Sequence, residues 1–344
     1  MIIGINMSKF LLRPINAEAA WYGPELKSNK SWIYNLSNNE VSELELAVKA
    51  VQNIPLRKIR KGDFKLNLLK KRISDLRKSV DEGLGIALIK GIPVDRISEG
   101  DTAKMLWGIG QHIGVPQPQD ASNEVLHHVR DTGDKLKTNP NLRIYQTNGE
   151  QSFHTDGGDL VMLLCRQAAK SGGTSRMASA VTVFNEVISK QPELAVTLQE
   201  PFYFDARGQQ LAGQPPIQKV PIYVWHSGRL NALHKRPYIE LCQRFENVPR
   251  ITGLQKDALD LIDGLCSDPQ ISLSFDMEPG DIQVVSNFSV FHARDAFIDY
   301  SDPKRKRHML RLWLGLLGGR ELPDVYATTR EFGPLFGIPG RSKL

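Results

Sequence analysis

Apolar residues in the first third of the chain recur at helical spacing. Val41, Leu44, Val48 and Val51 share one helix face behind Asn38 and Asn39, which could cap it. Leu69, Ile73, Leu76 and Val80 repeat the period. Ser98-Glu99-Gly100-Asp101 resembles a capping box and predicts a helix ending near Gly114. Between these helices, residues 84–89 form a short apolar run bounded by Gly and Pro, the pattern of a buried strand.

Beyond residue 140 the pattern shortens. Residues 142–147, 159–165, 220–225, 271–275, 281–285 and 308–314 are brief apolar runs, several bounded by Gly, Pro, Asn or Asp, and read as strands. Two helical stretches interrupt them, 182–200 and 254–265, the second with Leu254, Ala258, Leu261 and Leu265 in phase. Strands do not alternate with helices as βαβ units require, and no GxGxxG or P-loop occurs. The order predicts a β-rich α+β fold, a sandwich or jelly roll with covering helices.

The bulk numbers narrow the partners. The chain has 344 residues, 41% hydrophobic and 24% charged, which is ordinary for a globular protein. Its 44 Lys and Arg against 38 Asp and Glu leave +6, an excess that suits a small anionic substrate as well as a polyanion. Residues 57–78 hold ten of the basic side chains. Their apolar neighbours keep a helical period, so a solvated helix face is expected there, not a nucleic-acid footprint. Cys165, Cys242 and Cys266 are odd in number and far apart, which argues against a disulfide framework or a zinc ribbon and for a reducing, cytoplasmic setting. The apolar runs 160–165 and 312–317 are too short to cross a membrane. No basic segment precedes the apolar residues of the N-terminus, so a signal peptide is not expected. Self-association into a homo-oligomer stays open.

Three short stretches carry candidate chemistry. In His154-Thr155-Asp156 an extended backbone would point an imidazole and a carboxylate to the same side, and Gly157-Gly158 would let the chain turn sharply after them. Taken alone, this is equally a polar turn before a strand. His292 follows a tight turn at Glu278-Pro-Gly-Asp281 and a strand, which would place it at a strand end lining a pocket; alone, it is equally a half-buried histidine. Two histidines and one carboxylate form the facial triad of non-haem Fe(II) oxygenases, although zinc tolerates the same donors. Arg307 and Arg311 lie four apart, hence on one face of a strand. An inward arginine needs an anion, and a guanidinium pairs with a carboxylate through two parallel hydrogen bonds.

His154-Thr-Asp156, Gly172-Gly-Thr174, Asn287 to His292-Ala-Arg294 and Arg307-His-Met-Leu-Arg311, in this order, resemble the taurine dioxygenase / 2,4-dichlorophenoxyacetate dioxygenase family of Fe(II)- and 2-oxoglutarate-dependent oxygenases. The resemblance spans roughly residues 84–318. It implies a double-stranded β-helix (jelly-roll) core, with His154, Asp156 and His292 as iron ligands. It implies that Thr174 hydrogen-bonds 2-oxoglutarate and that Arg307 pairs with its distal carboxylate. Arg311 matches a second arginine that lies near the substrate or supports the cosubstrate. Fe(II), 2-oxoglutarate and O2 are thus the implied cofactors, while Arg311 and the net charge point to a small anionic or zwitterionic, amino-acid-like metabolite as substrate. The spacing from His292 to Arg307 is longer than in taurine dioxygenase and nearer the amino-acid-hydroxylating relatives. The expected organisation is one oxygenase domain over 1–344: a mostly helical extension (1–83), the jelly-roll core (84–318) and a tail (319–344).

Other residues compete for roles. Residues 117–140, with His127-His128, fit either a substrate lid or a surface loop. Tyr145, Gln146 and Asn148 precede the metal motif and could face the pocket. Trp225 is expected in the core, with a pocket role for Trp225-His226 as the alternative. Two other readings stay open: a non-catalytic jelly-roll protein that only holds a metal or ligand, and an oxygenase giving desaturation or ring closure instead of an alcohol.

Overall fold

The structure is a computed structural model that describes residues 10–133 and 144–341. Two sheets face each other. The larger has the order Ile33–Asn35, Ile86–Lys90, Ile282–Ser286, Leu160–Gln167, His308–Gly315, Val115–Gln117, with Leu126–Val129 also paired to His308–Gly315. All its pairings are antiparallel except that of Ile33–Asn35 with Ile86–Lys90. The smaller sheet has the order Leu273–Phe275, Ser175–Ser179, Val290–Arg294, Gln151–His154 and is antiparallel throughout. This is a β-rich α+β architecture.

Alternation of side chains along each strand builds the layers. Leu310, Leu312 and Leu314 leave the larger sheet on its outer side, where they pack with Leu44, Leu76, Leu106 and Ile109 of the helices Asn38–Ala50, Leu69–Glu82 and Glu99–Ile113. Trp313, Val161 and Val285 leave on the inner side and meet Met177, Leu273 and Val290 of the smaller sheet. A third cluster joins the helices Ala180–Lys190, Pro192–Leu198 and Gly253–Ser267 to the ribbons Pro201–Asp205/Ile217–Pro221 and Tyr223–His226/Arg229–Ala232.

Most expected elements form within a residue or two, and the departures have local causes. The first cap is Ser37, not Asn38 or Asn39: its hydroxyl accepts from Glu40 N–H in a full capping box. The helix expected over 182–200 breaks at Gln191, because Pro192 disfavours helical backbone in the residue before it. Residues 220–225 split into two strands around Ile222. In place of a strand over 142–147, Ile144–Gln146 form a 3-10 turn; residues 142 and 143 lie outside the described residues. Within the segment 117–140, Leu126–Val129 is a strand of the larger sheet; residues 134–140 lie outside the described residues. Trp225 is 37% exposed and not in the core. The basic side chains of 57–78 are mostly exposed, while Leu69, Ile73, Leu76 and Val80 face inward.

Candidate metal centre and its cavity

His154 ends one strand of the smaller sheet, and His292 is its direct antiparallel partner on the next. Their rings stand 4.3 Å apart, centroid to centroid. His292 sits inside its own strand, Val290–Arg294, not at the end of the preceding one as its sequence context suggests. The turn after His154 delivers Asp156 to the same place. Asn287 holds that turn: its Oδ1 accepts from Asp156 N–H at 3.1 Å, and its Nδ2 donates to the carbonyls of Gly157 (2.7 Å) and Gly158 (3.2 Å). A Cβ on Gly157 would lie 2.5 Å from the Trp313 ring, and Gly158 takes φ +75°, so neither position accepts a side chain without strain.

The three side chains offer ligand atoms that all lie within 4.8 Å of one another. Asp156 Oδ1 is 3.9 Å from His154 Nε2, and its Oδ2 is 3.8 Å from His292 Nε2. His154 Nδ1 lies 2.8 Å from the Ser152 carbonyl, which can only accept; Nδ1 therefore carries the proton and Nε2 presents a lone pair. The Gln151 amide nitrogen donates to that lone pair at 2.8 Å. Burial, with the neighbouring His292, pushes His154 down to about 3 and keeps it in the neutral, ligating form. Burial alone would raise the Asp156 carboxyl; Arg311, then His292 and His154, outweigh it and hold the group well below the usual range. His292 Nδ1 is buried without a hydrogen-bond partner. Two neutral-capable imidazoles and an ionised carboxylate, packed with few competing bonds, fit a divalent iron.

The centre opens onto a cavity of about 350 Å³ lined by Tyr145, Glu150, Arg207, Tyr238, Arg311 and Arg330 among others. On its inner side a smaller space is bounded by His154, Asp156, His292, Arg294, Arg307 and Arg311. Arg307 is buried, and its guanidinium makes no hydrogen bond or ion pair with any protein group among the described residues; it lies 5.1 Å from the Phe297 ring centre. A buried arginine left so is costly unless an anion joins it. Arg311 is engaged already: Nη1 donates to Asp156 Oδ2 at 3.1 Å, Nε to Gln119 Oε1 at 2.7 Å, and Tyr145 lies beneath it. Thr174 lines a separate small cavity with Arg307, and its hydroxyl donates to Asp276 at 2.7 Å.

Tyr145 reaches the site; Gln146 and Asn148 do not line it, and Trp225 and His226 lie elsewhere, His226 3.2 Å from Glu321. His127 is a buried structural histidine, 3.1 Å from Asp120 and 3.0 Å from the Tyr145 hydroxyl. Arg294 lies two residues after His292 on the same strand face, so spacing alone could have placed it at the site. Gln151, Lys235 and Arg330 also line the cavity, with Glu331 paired to Lys235, and carry no such signal in the sequence. Lys235 donates to Glu331 at 2.8 Å across a separation of 96 residues, which no local pattern reveals.

A model of the taurine catabolism dioxygenase TauD, TfdA family matches residues 52–313. The chain is 27% identical over 332 residues to FR-33289 synthase of Streptomyces rubellomurinus, covering 94% of this chain and 97% of that one. Among solved structures it resembles asparagine oxygenase in complex with Fe(II), 3-hydroxyasparagine and succinate (TM-score 0.64, 16% identity, 82% of this chain and 93% of that one). It also resembles the non-haem iron oxygenase OrfP with iron and alpha-ketoglutaric acid (TM-score 0.59, 13% identity, 82% and 94%).

Proposed function

The chain belongs to the taurine catabolism dioxygenase TauD, TfdA family, and from that membership we propose an Fe(II)- and 2-oxoglutarate-dependent dioxygenase that hydroxylates an unactivated C–H bond of a small anionic or zwitterionic, amino-acid-like molecule. One observation carries the reading: two imidazoles and a carboxylate converge beside a buried arginine whose guanidinium makes no ion pair among the described residues. His154, Asp156 and His292 are the iron ligands in this reading. Arg307 receives the distal carboxylate of 2-oxoglutarate, and Thr174 shares a neighbouring cavity with that arginine. The two facing sheets are the halves of a jelly roll. Three buried free cysteines support a cytoplasmic setting.

Bound iron would supply the redox chemistry that couples cosubstrate decarboxylation to C–H oxidation. The chain supplies the rest. Ser152 sets the His154 tautomer, Asn287 sets the Asp156 turn, and Arg311 keeps Asp156 ionised. The wider cavity carries Arg207, Lys235, Arg311 and Arg330 against Glu150, a mixed lining that suits a substrate bearing an acid group and an amine. Asparagine oxygenase in complex with 3-hydroxyasparagine and OrfP in complex with (3S)-hydroxy-L-Arg hold molecules of that class.

The test is succinate formation by iron-loaded protein given 2-oxoglutarate, O2 and a panel of amino acids and related zwitterions, with products read by mass. Substrate-stimulated succinate and a product heavier by one oxygen are expected; a product lighter by two hydrogens marks desaturation or ring closure. Bound iron with no succinate under any condition would favour a non-catalytic binding protein.

A further inference from the structure

A second group of metal-type donors lies where the helix Glu99–Ile113 begins over the larger sheet. His128, on the strand Leu126–Val129, has its Nδ1 2.8 Å from Nε2 of His308, the first residue of the strand His308–Gly315. Glu99, the first residue of the helix, places one carboxylate oxygen 3.5 Å from His128 Nδ1 and the other 3.8 Å from His308 Nδ1. The two rings stack with centroids 5.1 Å apart.

As a hydrogen-bonded trio this is poor. The imidazoles make one hydrogen bond with each other, and the carboxylate sits too far from both for a good bond. As a ligand set it is well spaced. Donors 2.0–2.1 Å from a tetrahedral zinc lie roughly 3.3 Å apart, and one atom from each residue can be chosen so that all lie within 4.8 Å. His308 is buried while Glu99 and His128 are exposed, so an ion has an open approach and a position left for water. Arg130 and Arg166 act on His308 electrostatically and oppose a cation there.

We propose that Glu99, His128 and His308 form a second divalent-metal site, suited to zinc, that ties the start of the helix to two strands of the larger sheet. The donor set of two imidazoles and one carboxylate is that of an open zinc site.

The experiment is zinc uptake by the full-length protein, read by equilibrium dialysis at micromolar zinc. Zinc also fits the His154 centre, so the expected count is two per wild-type chain and one in His154→Ala. His128→Ala and Glu99→Gln, both outside the iron site, should each lose one zinc or bind it at least tenfold more weakly, while keeping wild-type succinate formation when loaded with iron. X-ray absorption of the zinc held by the His154→Ala protein should show two imidazoles and an oxygen donor. No zinc in His154→Ala overturns the proposal, as do an absorption spectrum without imidazole and full retention in both His128→Ala and Glu99→Gln. The first and second of these hold even if a surface variant fails to fold.

Discussion

Arg311 donates from Nη1 to Asp156 Oδ2 at 3.1 Å, so the central carboxylate of the candidate metal centre is neutralised by the chain itself before any metal arrives. Both side chains are buried. A carboxylate left alone there would cost several kcal/mol. Arg311→Gln should therefore lower the melting temperature of metal-free protein by several degrees. It should also enlarge the rise that cobalt or iron gives on binding, because the metal then replaces a missing partner. Thermal shift with and without metal checks this; equal metal-induced shifts in both proteins would argue against the pairing as described.

His154→Ala and Asp156→Ala should each abolish iron binding and succinate formation, since two remaining ligands do not hold Fe(II) against water. Iron content after desalting and succinate yield are the two readouts.

Gln151 competes with a metal for the His154 Nε2 lone pair at 2.8 Å. Gln151→Ala removes one hydrogen bond, a net effect of about 1 kcal/mol. Fe(II) or Co(II) should bind about fivefold tighter, measured by titration against a competing chelator.

Arg307→Ala should raise the 2-oxoglutarate requirement on the order of 10- to 100-fold, the effect of losing a charged hydrogen-bond partner worth about 1.5–3 kcal/mol. Iron affinity should stay as in wild type. An unchanged KM for 2-oxoglutarate would remove Arg307 from the cosubstrate site.

Glu331 is buried, accepts from Lys235 at 2.8 Å and from Gln218 at 3.0 Å, and lies near Arg330. Burial alone would raise its carboxyl; the two cations and the hydrogen bonds outweigh it and hold it at about 2. The folded value lies below the ordinary 4.5, so its stabilisation is complete above that value and is lost as pH falls towards about 2. Glu331→Gln should be less stable at pH 7, where Lys235 loses its partner, and should lose less further stability than wild type between pH 5 and pH 3. Urea unfolding at the three pH values checks both.

The one-dimensional pattern determined the covering helices, because their apolar faces repeat every three or four residues, and the inner strands 160–165, 281–285 and 308–314, because they are short runs made mostly of apolar residues. It also marked the donors His154, Asp156 and His292 and the pair Arg307 and Arg311, since residue type and order along the chain carried those. It did not show the polar strands Gln151–His154 and Ser175–Ser179, whose propensity is weak and whose pairing with Val290–Arg294 makes them strands. Only tertiary structure set His154 against His292, buried Arg307 without an ion pair among the described residues, and spent Arg311 on Asp156. Those outcomes depend on register between strands more than a hundred residues apart, and hydrophobic pattern constrains which face a side chain takes, not which distant side chain it meets there.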